Sequence, residues 1–185
     1  MSDQTELIGG QEKREIRVVA YDPAWPAAFR RERRRIVNVL GPLARRVDHV
    51  GSTAVPGLVA KPIIDIDVSV PDADDEDAYL VALGSAGYVL RVRQTGHRMV
   101  RTPDLGVQVH ICTAGSEWER RHLLFRDWLR KDTADRAAYG RHKQRLAEQD
   151  WPDMNAYAAA KGPLIAEIGE RAEAWARATG WTPGT

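Results

Sequence analysis

The sequence predicts a single α+β domain, and three observations support this class. Its 185 residues suit one domain that can bury most of the apolar surface of the unfolded chain. The middle of the chain contains short segments with strand-like alternation, separated by glycine and proline turns. From Glu117 to the end the apolar pattern is helical. Strands in the middle and helices at the end are typical of an α+β domain.

The N-terminal region divides into an arm and a helix. Residues 1–14 are polar and lack periodicity, which predicts a flexible arm in front of one domain over 15–180. Residues 23–40 are expected to form a helix, since they begin with a proline and are followed by a glycine–proline stop. Its apolar stripe consists of Trp25, Phe29, Ile36 and Leu40. The arginine-rich run 30–35 is therefore interpreted as a solvated helix face, with phosphate binding as the alternative.

The strands on either side of the first loop have the clearest pattern. A short strand is predicted over 47–50, and Gly51 then opens a loop. Along 63–70 apolar and polar side chains alternate, so that one face packs and the other carries polar groups. That polar face consists of Asp65, Asp67 and Ser69.

The remaining elements follow from turn and helix signals. The acidic stretch 72–77 is expected to begin a helix that ends near residue 86, because carboxylates complement the dipole at a helix N-terminus. Antiparallel strands are predicted near 87–93, 98–102 and 107–112. The C-terminal part is expected to contain three helices, with breaks near residues 132 and 152.

Composition limits the class of function. With 27 basic and 26 acidic residues the net charge is +1, so the chain as a whole has no bias towards nucleic acid or acidic membranes. Its apolar stretches are far shorter than the roughly 20 residues of a membrane-spanning helix. The lone cysteine, Cys112, and an N-terminus without an apolar signal region indicate a reducing compartment. We therefore expect a cytoplasmic protein with no membrane partner and no indicated nucleic-acid partner.

Two aspartates are the first candidate site residues. Asp65 and Asp67 occupy positions i and i+2 of one strand, about 7 Å apart on the same face, and can converge on a divalent cation such as Mg²⁺ or Mn²⁺. Two unpaired carboxylates on a packed strand would be costly unless a metal, an arginine or water compensates them. The alternative is a salt-bridged strand edge.

The loop before this strand supplies candidates for phosphate binding. Gly51 lets the backbone approach a triphosphate closely, and the hydroxyl of Ser52 can donate to a phosphate oxygen. Lys61 adds a flexible positive charge just before the aspartates. Taken singly, these residues are an ordinary turn and a solvent-exposed lysine, but their order and spacing together fit a triphosphate site.

Several motifs give the chain a specific resemblance to a known family. Residues 49–58 read HVGSTAVPGL and residues 61–67 read KPIIDID. The other matching motifs are VHI at 109–111, LFRDWLR at 124–130, Tyr139 with Lys143, and Tyr157 with Lys161. Over roughly residues 16–170 the sequence resembles the GrpB family. The resemblance implies a nucleotidyltransferase-like fold, with a small mixed sheet flanked by helices, and in some relatives a fusion to dephospho-CoA kinase.

The resemblance also implies roles for residues. In the wider superfamily a glycine–serine turn accompanies two strand aspartates that bind metal, and usually a third acid on a neighbouring strand. Gly51 and Ser52 match the turn, and Asp65 and Asp67 match the metal pair. The strand that should supply the third acid, 107–111, contains no carboxylate.

His110 and Arg98 complete the candidates. A neutral imidazole at His110 could replace the absent acid as a metal ligand or general base, and the alternative is a hydrogen-bonded structural histidine. Arg98 could face the cleft and hold phosphate with its planar guanidinium. The alternative for Arg98 is a surface pair with His97.

These candidates support two classes of function. The first is a nucleotidyltransferase that moves a nucleotidyl group from a nucleoside triphosphate to an unspecified acceptor, with Mg²⁺ held by Asp65 and Asp67. Its phosphates would lie against Ser52, Lys61 and Arg98. The second is a catalytically inactive nucleotide- or ligand-binding accessory module, which the missing third acid favours. Triphosphate-dependent adenylation of a carboxylate or amine is a third alternative.

Overall fold

A six-stranded mixed sheet forms the centre of the molecule. In the computed structural model, which describes residues 5–184, the strands are β1 (Glu6–Leu7), β2 (Arg46–Val50), β3 (Ile64–Val70), β4 (Val89–Gln94), β5 (His97–Arg101) and β6 (Val107–Thr113). Their order in the sheet is β1-β4-β5-β6-β3-β2. Strands β3 and β6 are parallel, and the other neighbouring pairs are antiparallel. The predicted α+β class is confirmed.

The helices lie on both faces of this sheet. They are α1 (Trp25–Leu40), α2 (Leu80–Ser85), α3 (Glu117–Lys131), α4 (Thr133–Ala147), α5 (Met154–Ala160) and α6 (Gly162–Thr179). The C-terminal part therefore contains four helices where three were predicted. The missed break lies between α5 and α6, where Pro163 has no backbone N–H to continue the hydrogen-bond ladder of α5 and instead lies in the first turn of the next helix. Within residues 5–184, no helix has the length and apolar character needed to cross a membrane.

One face of the sheet is apolar and is covered by α1 and α2. The apolar side chains of β3 point into this core, as their alternation predicts: Ile64, Ile66, Val68 and Val70 are all buried there. From α1, Ile36 and Leu40 pack against them, while the arginines along the outer side of that helix are exposed. The solvated-face interpretation of the run 30–35 is consistent with this exposure.

The opposite face is polar and lies beneath α3. The register between β3 and β6 places Asp65 beside Gln108 and Asp67 beside His110. Both faces of β3 are covered, because Asp67 and Ser69 are buried as well as the isoleucines and valines. Polar groups under a helix need partners, and the candidate site is built from them.

The N-terminal arm is packed against the sheet over its described part. Glu6–Leu7 form the edge strand β1, paired with β4. Further along, the carboxylate of Glu12 accepts hydrogen bonds of 2.5 and 2.9 Å from Arg101, and these bonds hold the pKa of Glu12 near 2. The predicted flexible arm thus differs from the structure for residues 5–14, and residues 1–4 lie outside the described residues.

The acidic stretch after β3 does not begin a helix. Residues 76–78 form a single 3₁₀ turn, and α2 begins only at Leu80. The carboxylates of Asp74 and Glu76 instead bind the guanidinium of Arg98 on β5, at 2.9 and 2.5 Å. Ion pairs across the sheet have replaced the expected interaction with a helix N-terminus.

Candidate functional site

A cavity of about 740 Å³ lies over the polar face of the sheet, enclosed by the C-terminal helices. The cavity is lined by five of the residues that the sequence predicts for the site: Gly51, Ser52, Lys61, Asp65 and His110. They come from the loop after β2, the loop before β3, and from β3 and β6 themselves. Folding therefore brings most of the predicted site together in one cleft.

The turn after β2 requires glycine at position 51. Its φ of 67° lies in the left-handed region, which side chains other than glycine rarely adopt. A Cβ atom at this position would lie 2.5 Å from Oδ2 of Asp65, far inside van der Waals contact. The glycine therefore allows the backbone to pass directly over the first aspartate of β3 and places Ser52 at the cavity wall.

Three lysines converge on one end of this cleft, which we call the lysine end: Lys61, Lys143 and Lys161. The ammonium groups of Lys61 and Lys161 lie 5.2 and 5.0 Å from the ring centre of Tyr157. Lys143, only 3% exposed, lies 4.7 Å from the ring centre of Tyr139 and donates to Oγ of Ser52 over 2.7 Å. It also donates to the carbonyl of Val59.

None of these lysines forms an ion pair with any residue in the described range 5–184. Burial, followed by repulsion from Lys161 and Lys61, lowers the pKa of Lys143 to about 7. Burial, followed by repulsion from Lys61, likewise lowers the pKa of Lys161 to about 8. The pKa of Lys61 is lowered too, mainly by burial. Aromatic faces and oxygen dipoles offset only part of the cost of three crowded cations.

Asp65 is the carboxylate that faces the lysine end. Its charge raises the pKa of all three lysines, against the larger effect of burial. The side chain of Asp65 is 29% exposed, and Oδ1 lies 3.9 Å from Nε2 of His110. One carboxylate against three lysines leaves the lysine end with an excess of positive charge when the lysines are protonated.

Asp67 is hidden beneath α3. Its side chain is 1% exposed, and both carboxylate oxygens accept from Nδ1 of His122, at 2.9 and 3.1 Å. Among residues 5–184, no group of three or more histidine, cysteine or acidic side chains is arranged to hold a metal ion. As arranged, Asp65 and Asp67 do not fit a shared magnesium site, because Asp67 is already engaged by a histidine.

His110 belongs to a column of aromatic rings beside Asp65. Its Nδ1 lies 3.1 Å from Nε2 of His97, and the ring of His97 stacks on Trp118 with 3.8 Å between ring centres. Burial lowers the pKa of His97 to about 3. Burial also opposes a charge on His110, but attraction to the carboxylates of Asp65 and Asp67 outweighs it, so the pKa of His110 is raised.

The prediction that Arg98 faces the cleft is wrong. Arg98 is paired with Ile111, and both side chains point to the apolar face of the sheet. There its guanidinium binds Asp74 and Glu76, and it does not line the cavity. The predicted surface pair with His97 is also wrong, because neighbouring strand residues point to opposite faces and both side chains are buried.

Sequence reasoning gave too little weight to three residues of the site. Lys143 and Lys161 appear in the motifs of the resemblance, but each alone has the character of a solvated helix residue. His122 was missed. Its signal is helical spacing, because it precedes Phe125 and Leu129 by three and seven residues and shares their inward face of α3.

Comparisons with known proteins place this cleft in a family context. The family model described as GrpB protein matches residues 15–171. UPF0157 protein SCO7215 of Streptomyces coelicolor is 51% identical over 169 residues, which cover 91% of this chain and 90% of that protein. A protein of Mycolicibacterium paratuberculosis named dephospho-CoA kinase is 34% identical and covers 91% of this chain, but this chain spans only 48% of its length.

A solved structure has the same fold. The chain described as the crystal structure of conserved protein GrpB from Enterococcus faecalis superimposes with a TM-score of 0.76 at 32% identity. The match covers 86% of this chain and 99% of that one. The sheet and helices described above are therefore shared with an experimentally determined relative.

Proposed function

The chain belongs to the GrpB family, and from this premise we propose that its cleft binds a nucleoside triphosphate with the phosphates at the lysine end. The observation that carries the proposal is the convergence of Lys61, Lys143 and Lys161 on a cavity with Asp65 as the facing carboxylate. Buried cations without counterions are costly, so they favour an anionic ligand that would compensate them.

The chemistry of the lysine end suits a polyphosphate. Hydrogen bonds from a charged donor contribute about 1.5–3 kcal/mol each, and the three ammonium groups together with Ser52 offer several. The turn at Gly51 also allows the backbone to approach the phosphate oxygens closely. A bound phosphate would favour protonation of Lys143 and Lys161, whose pKa values are lowered in the ligand-free protein.

The rest of the cavity suits the remainder of a nucleotide. Its volume of about 740 Å³ lies within the range of small-molecule sites, roughly 300–1,000 Å³. Beyond the lysine end the wall combines apolar residues, among them Leu124, Phe125 and Ile165, with charged ones such as Arg121 and Glu170. The aromatic ring of Phe125 offers a face on which a base could stack.

A second candidate is transfer of a nucleotidyl group from the bound triphosphate to an acceptor. The position of Asp65 favours it, because this partly exposed carboxylate lies directly under the Gly51 turn. Magnesium or manganese stays a prediction, and Asp65 is the carboxylate available to such an ion while Asp67 is bound to His122. The accessory-module alternative is compatible with the relative named dephospho-CoA kinase, because the region similar to this chain makes up only 48% of that protein.

Calorimetric titration tests the proposed binding. Inorganic tripolyphosphate and the four nucleoside triphosphates would be titrated with and without Mg²⁺ into wild type, Lys61→Met and Lys161→Met. We expect each substitution to weaken tripolyphosphate binding by roughly tenfold or more. The exposed Lys131, at the end of α3, provides the matched control Lys131→Met, which should bind as wild type does.

The outcomes separate the alternatives. Equal affinity in all four proteins, or no binding of any polyphosphate, would refute the lysine end as a phosphate site. Release of pyrophosphate from the bound nucleotide would support the transferase. Tight binding without release would support the accessory module.

A further inference from the structure

We propose that His97 is a positioning residue that sets the tautomer of His110, so that the proton of His110 sits on Nε2 and faces Asp65. In this state His110 presents a hydrogen-bond donor to the cleft. It then serves neither as a general base nor as a metal ligand. The use of this donor by a bound phosphate rests on the proposed function, whereas the tautomer itself does not.

The rings of His97 and His110 are in hydrogen-bond contact. Nε2 of His97 and Nδ1 of His110 are 3.1 Å apart, so one nitrogen donates and the other accepts. His97 is 5% exposed, its ring is stacked on Trp118, and burial lowers its pKa to about 3. His97 is therefore neutral at neutral pH and carries one ring proton.

The other ring nitrogen of His97 decides which of the two rings donates. Its Nδ1 is buried and has no hydrogen-bond partner. If His110 donated to His97, the single proton of His97 would sit on this Nδ1 as an orphaned buried N–H. Such groups are rare in native proteins. A proton on Nε2, donated to His110, avoids this arrangement.

The contact between His110 and Asp65 independently favours the same tautomer. Its Nε2 lies 3.9 Å from Oδ1 of Asp65. A bare lone pair on Nε2 would face the negative carboxylate, whereas an N–H at the same position is attracted to it. The donor from His97 occupies Nδ1, so the proton of neutral His110 lies on Nε2. The contacts of His110 with His97 and with Asp65 thus favour the same tautomer.

This tautomer decides whether His110 can act as a general base or metal ligand, which the sequence leaves open. Neutral His110 has its Nδ1 lone pair bound by His97 and its Nε2 protonated, so no lone pair faces the cleft. The histidine that stands where a third acid is expected then adds a donor beside the lysine end. In a phosphate site this N–H would stabilise negative charge on the ligand next to Asp65.

Nitrogen NMR tests the tautomer without any ligand. In protein labelled with ¹⁵N-histidine, at a pH where His110 is neutral, we expect a protonated Nε2 and an unprotonated Nδ1 for His110. The signals would be assigned by their loss in His110→Gln. A wild-type His110 with its proton on Nδ1 would overturn the proposal, whatever any variant does.

Two substitutions of His97 separate its donor from its packing. His97→Phe keeps a flat ring against Trp118 but removes the donor, and should give His110 a larger fraction with its proton on Nδ1, while the attraction to Asp65 keeps the rest protonated on Nε2. His97→Gln keeps a donor and should retain the wild-type tautomer. An unchanged tautomer in His97→Phe would show that His97 does not set it.

Ligand binding supplies the functional readout. Tripolyphosphate affinity should fall about twofold in His97→Phe, in proportion to the fraction of His110 that loses the Nε2 proton, and stay near wild type in His97→Gln. A changed tautomer with unchanged affinity would overturn the use of the donor. Failure of wild type to bind tripolyphosphate would refute the proposed function, while the tautomer would still be decided by NMR.

Discussion

Two clusters of charged residues lie on opposite faces of the same sheet, and they differ in how they are compensated. On the apolar face, Arg98 is bound by Asp74 and Glu76 at 2.9 and 2.5 Å, and the pKa of Glu76 is held near 2 by hydrogen bonds to Arg93 and Arg98. At the lysine end, burial lowers the pKa of Lys143 to about 7. The first cluster is complete within the chain, whereas the second favours a charge from outside.

The comparison teaches how to separate structural charges from charges available to a ligand. Removal of one member of a buried ion pair leaves the charge of its partner uncompensated and lowers stability. A buried ion without partners lowers stability and favours binding of a counter-ion. Substitutions in the two clusters should therefore have opposite effects on stability and binding.

The largest expected effect is on the stability of the Arg98 cluster. Arg98→Met should lower the free energy of unfolding by about 3 kcal/mol, because it removes the charge-assisted hydrogen bonds to Asp74 and Glu76 and leaves Glu76 with Arg93 alone. Chemical denaturation would measure the loss, and Arg93→Met, at a more exposed site, should cost less. Tripolyphosphate affinity should be unchanged. Loss of binding with normal stability would place Arg98 in the ligand site and break the comparison.

Lys143→Met should show the opposite behaviour. Tripolyphosphate affinity should fall by about 1.5–3 kcal/mol, through loss of one charge-assisted hydrogen bond. The free energy of unfolding of the ligand-free protein should stay level or rise, since a crowded buried amine is removed. Calorimetry beside denaturation, with Lys131→Met as control, would measure both. A destabilised variant that binds normally would make Lys143 a structural residue.

Asp65→Asn sharpens the role of the facing carboxylate. In metal-free buffer near pH 6 we expect tripolyphosphate to bind about fivefold more tightly. The substitution removes the repulsion between the carboxylate and the anionic ligand, which costs about 1 kcal/mol. If a divalent ion joins the complex through Asp65, the same variant should lose the added affinity that Mg²⁺ confers. Weaker binding of the metal-free ligand would contradict Asp65 as the opposing charge.

Anion affinity is also expected to depend on pH. Sulfate suits this test because it does not titrate between pH 6 and 9. The protonated lysines bind the anion, so affinity should fall as pH rises through the pKa values of Lys143 and Lys161, about 7 and 8. Each lysine contributes at most about tenfold per pH unit. Calorimetry near pH 7.5 in buffers of different ionisation enthalpy should also detect proton uptake.

Stability of the ligand-free protein should change with pH in the opposite direction to anion affinity. The folded-state pKa of Lys143 lies below its ordinary value of 10.5, so the unfolded chain binds more protons between about pH 7 and 10.5. Ligand-free wild type should therefore gain stability as pH rises across that window and lose it as pH falls towards 7. Lys143→Met should flatten this profile. If anion affinity does not vary with pH and Lys143→Met leaves the stability profile unchanged, the lowered pKa of Lys143 is contradicted.

Local sequence determined the elements whose signals are local. The alternation along β3 follows from a two-residue period, and it predicted both the buried isoleucines and the polar face that carries Asp65. The left-handed turn at Gly51 follows from the one residue type that adopts it without strain. The motifs of the resemblance were sufficient for the family, and with it the mixed sheet and its flanking helices.

Only the tertiary structure decided which charges meet. Strand alternation does not say which face is the cleft, so Arg98 was assigned to the wrong side, although Val100, two residues on, is buried in the apolar core. Lys143 lies 91 residues from Ser52 in the chain yet donates to its hydroxyl. Burial, and with it the lowered pKa of Lys143, depends on neighbours that distant segments supply. The sequence names the side chains of this cleft, but only the packing of α3 to α6 over the sheet leaves some of them paired and the lysines without a counter-ion among residues 5–184.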